Sequence, residues 1–303
     1  VTDLLIRADA SAVSGAGHAM RTLALAEAWA ASGAGQVGLA GTVELEFVRR
    51  RAADLGIVPR ARLSDYRRPA VLVVDTYDQD ARLEAAAWRP ASLRVLVDDL
   101  GGNVPADYEV VWNPGPWGGE IPYPEFRGTV LSGVDYVPIR SGLPVWSGGE
   151  GGKVAVLLGG GQADPVLADA VTRLAEQAPE TAFSGVGAWV PPRWGRLDAG
   201  RLWTDVVHAS ALVTAAGTSL LEAASVGIPV VLLCAADNQV PGADWARRAA
   251  VPVVDARHRD AAEVAAAIGS ALPRARALPP LRNGAPAVGR RLVEMARDRV
   301  AEA

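Results

Sequence analysis

One cysteine, three histidines and no long uninterrupted apolar run mark what this 303-residue chain has little of. A lone thiol, Cys234, cannot close a disulfide within the chain. Set in the apolar run PVVLLCA, it is expected to be a small buried core residue. No apolar run approaches the roughly 18 residues that a bilayer span requires, and no basic, apolar, cleavable leader pattern opens the sequence. These absences lead to the expectation of a cytoplasmic protein without a membrane span. Basic blocks are also missing. With a net charge of −4 and a pI near 5.5, the chain is a poor match for a nucleic-acid partner that demands many phosphate contacts. Histidine, cysteine and carboxylate spacings of the kind that hold a metal do not occur, and no cofactor is expected.

The chain does contain a regular alternation of short apolar runs with longer Ala/Leu-rich stretches at helical spacing. LLIRA is followed by a helical pattern over 18–31, AVLVVDT by 79–88, VAVLLG by 164–177, ALVTA by 218–226, and PVVLL by 241–250; LRVLVDD and YEVVW add further strands. Near-continuous apolar strands alternating with helices predict parallel sheets covered on both faces, and the length predicts two such α/β domains. RSGLPVWSGGEGG interrupts the pattern near the midpoint. The predicted organisation is a first domain over 1–141, a linker over 142–152, a second domain over 153–286, and a last helix over 287–303 that packs back on the first. Ligands of such sheets bind at the carboxyl ends of the strands, so a central cleft faced by both domains is the expected site.

SGAGHAM, residues 14–20, joins the first strand to the first helix. Gly15 and Gly17 allow a ligand to approach the helix start closely. That start carries partial positive charge, which favours anions and a neutral imidazole, so His18 is a candidate general base acting through a water. The structural alternative is a histidine that caps the turn. A second turn, AAGTSLLE, sets Gly217, Thr218 and Ser219 at another helix start, suited to a diphosphate held by amides and hydroxyls. Glu222, one turn on, is a candidate acceptor for ribose hydroxyls, although Thr218 also reads as an N-cap. GGGQADP follows a strand without the Lys-Ser/Thr pair of a P-loop; Gly160 and Gly161 are candidate cleft residues, and Asp164 before Pro165 reads as an N-cap.

RADASAVSGAGHAMRTLALA, VDTYDQD, VDDLGGN, LSGVDYVPIR, LLGGGQADP and AAGTSLLEAASVGIPVVLLCAADNQ together resemble the PseG-like nucleotide-sugar hydrolases of pseudaminic acid biosynthesis, in family order from residue 7 to about 240. The resemblance implies a GT-B architecture of two Rossmann-like, doubly wound domains. It further implies metal-independent removal of UDP from a UDP-linked deoxy-diacetamido sugar, by attack of water at the anomeric carbon. Carried over by motif, His18 is the base or water-orienting residue. Asp9 and Arg21 lie nearby with Arg7 in the same block, and Tyr77 faces the sugar. Gly217, Thr218, Ser219 and Glu222 hold UDP, while Asn238 and Gln239 line the cleft. Partners beyond the UDP-sugar would be other enzymes of the pathway. Thr22 replaces the usual cysteine after Met-Arg, and Leu221 stands where a bulky aromatic is common. The loop over 113–126, rich in tryptophan, proline and glycine, reads either as a wall of the sugar pocket or as a surface connection. A glycosyltransferase of the same fold, with His18 activating an acceptor hydroxyl, and an inactive nucleotide-sugar-binding protein are the alternative functions.

Overall fold

The computed structural model describes residues 3–67, 69–102 and 104–302. Asn103, the last residue of the VDDLGGN motif, lies outside them. The chain divides into two compact units, one formed by Val1–Ser141 with Arg282–Ala303 and the other by Gly142–Leu281. Residues 282–286, assigned from sequence to the second domain, belong to the first. The strand Glu150–Leu157 begins inside the stretch expected as linker.

In the first unit, six parallel strands are β1 (Leu4–Ala8), β2 (Val37–Ala40), β3 (Val71–Asp75), β4 (Leu93–Val97), β5 (Val110–Trp112) and β6 (Thr129–Leu131), in the order β2-β1-β3-β4-β5-β6. Alternation along each strand explains why the runs are apolar throughout. Leu4, Ile6, Val71, Val73, Leu93 and Val95 enter one core, and Leu5, Leu72, Val74 and Leu96 enter another on the opposite face. The first core is covered by α1 (Gly17–Ala31), α2 (Glu46–Asp54) and α9 (Ala285–Glu302); the second is covered in part by α3 (Gln79–Ala87), through Ala85 and Ala86. Trp29 of α1 is fully buried in the same core as Val288, Leu292 and Ala296 of α9, which is the return of the last helix to the first unit. Gly284 admits that return, because a Cβ there would lie 2.4 Å from the Asp135 carbonyl oxygen.

The second unit repeats the plan with β7 (Glu150–Leu157), β8 (Ala182–Gly185), β9 (Gly195–Arg196), β10 (Ala209–Ala215), β11 (Val230–Cys234) and β12 (Val253–Asp255), ordered β12-β11-β10-β7-β8-β9. All of its strand pairs are parallel. Among its helices are α4 (Pro165–Gln177), α5 (Leu202–Val206), α6 (Thr218–Val226), α7 (Val240–Arg248) and α8 (Ala261–Ala271). Asp164 caps α4 by accepting from the Val166 and Leu167 amides, with Pro165 at the first turn. Cys234 is buried at the end of β11. Each sheet reverses its winding once. In the first unit the reversal falls between β1 and β3, and in the second between β7 and β10. At such a point the loops leaving neighbouring strands depart to opposite faces and open a crevice at the carboxyl edge. His18 follows β1 and Asp75 ends β3, while Gly160 follows β7 and Gly217 follows β10. Both glycine turns therefore stand where the topology opens a crevice.

Candidate active site

The turn before α1 is stapled by its own serines. The Ser14 hydroxyl accepts from the Ser11 amide, the Ser11 hydroxyl accepts from the Val13 and Ser14 amides, and Gly15 donates its amide to the Ser11 carbonyl with a φ of 71°. Ala16 occupies the N-cap without a side-chain hydrogen bond. His18 therefore enters the first turn of a helix whose own side chains do not cap it.

Asp75, fully buried, organises the side chains around His18. Arg21, one turn along α1, donates from Nε to Oδ2 at 2.6 Å and from Nη2 to Oδ1 at 2.7 Å, a bidentate pair. His18 Nδ1 meets Oδ1 at 2.5 Å. Burial alone would push the Asp75 carboxyl up, but the charges of Arg21 and then His18, with the Arg21 hydrogen bonds, hold it at about 2. Arg21 shows the complementary effect. Burial disfavours its charge, yet Asp75 and Asp99 together raise it well above its ordinary value. An ionised Asp75 can only accept, so Nδ1 carries a ring proton, and Nε2 is the atom that bears the lone pair in the neutral form of the ring.

Arg21 Nη1 extends the network to Asp99 at 2.9 Å, and the Tyr77 hydroxyl donates to the same carboxylate at 2.9 Å. Tyr77, 39 % exposed, meets the His18 ring edge to face at 4.7 Å between centroids. His18, Arg21 and Tyr77, all candidates from sequence, thus form one hydrogen-bonded and packed group with Asp75 and Asp99. Sequence reasoning gave Asp75 no role, although a carboxylate closing the apolar run VLVVD was the available signal. Asp9 goes elsewhere: its carboxylate pairs with Arg7 at 2.8 Å and accepts the Thr42 amide at 2.8 Å, and no hydrogen bond joins it to His18. Asp9, paired with Arg7, ties the end of β1 to the loop after β2.

The loop over 113–126 is tied to the same strand ends. Tyr123 donates its hydroxyl to the Asp98 carbonyl and accepts from the Asn113 amide group, while the Asn113 side-chain oxygen takes the Gly115 amide. Asp98 itself binds Arg82 and the Gly101 amide. Asn113 is fully buried and Trp117 nearly so, so the loop is packed in place.

In the second unit, Gly217 is the N-cap of α6 in extended conformation, with no side-chain cap, which leaves Thr218 as the first helical residue and not the cap. The space a Cβ would occupy at Gly217 is open. Thr218 and Ser219 are half-buried beside it. Glu222 is buried, and its Oε2 accepts the indole N–H of Trp203 at 2.6 Å. Gln239 turns its side-chain oxygen to the Ala235 amide at 2.8 Å, bracing the loop that carries Asn238; Asp237 of the same turn pairs with Arg257. Gly160 is exposed and Gly161 half-buried in the loop after β7. Among the described residues, no group of three or more His, Cys, Asp or Glu is arranged to hold a metal, and no helix is long and apolar enough to cross a membrane.

Two parallel-sheet units, each with a glycine turn at its switch point, give a two-domain α/β fold of the GT-B kind. No protein-family model matches the chain, and no curated protein sequence matches it. Solved structures do. Over 99 % of this chain and 97 % of the other, it is similar to S. aureus MnaA in co-structure with UDP, at 13 % identity and a TM-score of 0.63. It is similar over the whole of both chains to the UDP-GlcNAc 2-epimerase from Neisseria meningitidis bound to UDP-GlcNAc, at 10 % identity and a TM-score of 0.61. Spinosyn rhamnosyltransferase SpnG complexed with thymidine diphosphate aligns over 98 % of this chain and 96 % of its own, at 15 % identity and a TM-score of 0.57. At such identities the likeness establishes the fold.

Proposed function

We propose that the chain is a nucleotide-sugar hydrolase of the PseG-like kind, releasing UDP from a UDP-linked deoxy-acetamido sugar by attack of water at the anomeric carbon. The observation that carries this reading is the His18–Asp75 pair. With Nδ1–H held by an ionised, buried carboxylate, Nε2 is the basic atom and the imidazolium formed on proton uptake is stabilised at once. Water gives its proton to Nε2 as its oxygen bonds to the anomeric carbon. The carbon–phosphate oxygen bond breaks, and its electron pair leaves with UDP. Around His18 the side chains of Asp75, Asp99 and Arg21 sum to one negative charge when the imidazole is neutral, which suits the positive charge that develops on the sugar. Tyr77, fixed by Asp99 and packed on the imidazole, is the contact for the sugar.

In the second unit, the start of α6, which no side chain caps, offers N–H and hydroxyl groups of Thr218 and Ser219 to the leaving diphosphate beside the open space at Gly217, whose own amide goes to the Ala215 carbonyl. Glu222 takes the ribose, and Asn238 with Gln239 contacts the remainder of the nucleotide sugar. Two of the solved neighbours, MnaA and the N. meningitidis epimerase, carry UDP or a UDP-sugar, which supports the nucleotide assignment. Likeness to SpnG favours a second reading, transfer of the sugar to an acceptor hydroxyl activated by the same His18.

The test is UDP release from a panel of UDP-sugars, deoxy-diacetamido forms included, with no acceptor added. Release by the wild type, lowered at least about a hundredfold in His18→Ala with UDP affinity retained, is the expected result. Release only when an acceptor is supplied identifies the transferase. Tight binding with no release under either condition identifies a binding protein, and unchanged release by His18→Ala removes His18 from the chemistry.

A further inference from the structure

The chain carries a net charge of −4, yet four of its arginines line one groove of the second unit. The groove encloses about 860 Å³, and its floor is β12, the edge strand of the sheet, with Pro252 before it. Arg247 at the end of α7, Arg259 ahead of α8, and Arg274 and Arg276 after α8 surround that floor. Asp255 is the one carboxylate in the lining, and Arg257 engages it, donating to Oδ1 at 3.0 Å and to Oδ2 at 2.8 Å. Those bonds hold Asp255 at about 2, so it stays ionised and committed to Arg257. Arg247 donates to Asp244 at 2.6 Å. Arg259, Arg274 and Arg276 are exposed, and no ion pair or side-chain hydrogen bond joins them to another described residue.

Helix ends account for two of the four. Arg247 lies in the last turn of α7 and Arg274 just beyond α8, where the terminal carbonyls favour a cation. Arg259 has the opposite setting: it directly precedes Asp260, the N-cap of α8, where a cation is disfavoured. Arg276 lies beyond both helices, with its backbone paired to Val230 at the amino end of β11. Guanidinium groups keep their charge throughout the physiological range, so those around one groove repel one another until an anion enters.

We propose that this groove is an anion site in its own right, for a small ligand that carries several phosphate groups, and that it is separate from the diphosphate turn at Gly217. The guanidinium fork matches phosphate oxygens two at a time. The floor from Pro252 to Asp255 runs about 10 Å at 3.3 Å per residue. Arg259 follows its carboxyl end and Arg276 pairs beside its amino end, so a ligand that meets both carries anionic groups at separate points. An acidic peptide added to the sheet edge fits less well, because β12 has three residues and the proline before it has no N–H to give. The Gly217 turn follows β10, two strands away across the sheet, and lines no part of the groove.

The experiment titrates the whole chain with tripolyphosphate and with orthophosphate, by calorimetry at low ionic strength. Arg259→Ser and Arg276→Ser test the groove. Gly217→Ala tests the turn, and Arg193→Ser, at an exposed arginine of the same unit paired with Glu176, tests general charge. Saturable tripolyphosphate binding is expected, weakened about tenfold or more by each groove variant and kept within about twofold by Gly217→Ala and Arg193→Ser. Orthophosphate is expected to bind at least about tenfold more weakly than tripolyphosphate. Arg276→Lys, which keeps the charge without the fork, is expected to fall between wild type and Arg276→Ser, and serves where the serine variant does not fold. Absence of saturable binding overturns the proposal, as does an equal loss in Arg193→Ser, which marks diffuse attraction. A loss in Gly217→Ala with both groove variants unaltered puts the probe at the turn and overturns it too. Orthophosphate binding as tight as tripolyphosphate overturns the need for several phosphate groups. Capture on phosphatidylglycerol vesicles that Arg276→Ser abolishes, without tripolyphosphate binding, assigns the groove to a lipid headgroup and overturns the small ligand.

Discussion

Asp75→Asn changes one atom at the centre of the His18 network and tests two consequences of it separately. For stability, the carboxyl sits at about 2 in the folded unit against an ordinary 3.8. At 1.36 kcal/mol per unit this gap contributes about 2 kcal/mol of folding free energy at neutral pH. Asparagine removes that contribution and leaves the buried Arg21 with only Asp99, and losing one partner of a buried ion pair typically costs about 3–5 kcal/mol. A destabilisation of about 3 kcal/mol is therefore expected for the first unit at pH 7. Since the folded-state value is depressed, the wild-type advantage is fully present above about pH 4 and is lost as pH falls through about 2, so the two proteins converge in acid. Urea titration with pulsed hydrogen exchange at the β3 amides reads this unit alone, at pH 7 and at pH 2. For catalysis, the asparagine amide group donates to Nδ1, which drives the ring proton to Nε2 and removes the base. UDP release should fall about a thousandfold or more. A stability loss under about 0.5 kcal/mol, a loss that persists undiminished at pH 2, or release within tenfold of wild type would refute this double role of Asp75.

Two further substitutions probe glycines. Gly217→Ala places a methyl group in open space on extended backbone, so the melting temperature should stay within about 1 °C of wild type. UDP affinity should nonetheless fall at least about tenfold if a diphosphate uses that space; unchanged affinity in calorimetry removes the turn from the site. Gly284→Ala meets the backbone of Asp135 at 2.4 Å and of Val137 at 2.6 Å, and should destabilise the first unit by about 2 kcal/mol in urea unfolding. Gly289→Ala, inside α9 with its nearest neighbours at 3.8 Å, should instead stabilise it by about 0.5–1 kcal/mol. A loss at Gly289 as large as at Gly284 would show that close backbone approach is not what selects glycine at 284.

The strands that were legible in sequence were those buried on both faces. LLIRA, VLVVD, VVLLC and their like admit no other environment, and they form the centres of both sheets. Short edge or peripheral strands escaped, because β2, β6, β9 and β12 are two to four residues long and half-exposed in part, so their composition does not differ from that of loops. The site divided similarly. His18, Arg21 and Tyr77, which sit in or beside a glycine turn or a motif, were singled out from the sequence, and the structure brings their side chains together. Asp75 was not, because what singles it out is a partnership across β1 and β3 that only parallel pairing creates, Ala8 opposite Asp75. Asp9 was placed near His18 by the motif resemblance, and its carboxylate closes on Arg7 at the end of β1. The bond from Trp203 to Glu222 spans an intervening strand, and no local pattern announces it.

Because the first unit closes with α9, its synthesis is out of step with its order along the chain. The residues of β1 to β6 emerge early with α1 and α2, but the part of their core that Val288, Leu292 and Ala296 complete stays open until those residues follow. Everything from Gly142 to Leu281 is made in between. The unit encoded second is therefore the first that can be completed on the ribosome, while the unit encoded first waits as an open half-core, and that interval is when a chaperone or an aggregating neighbour would find it.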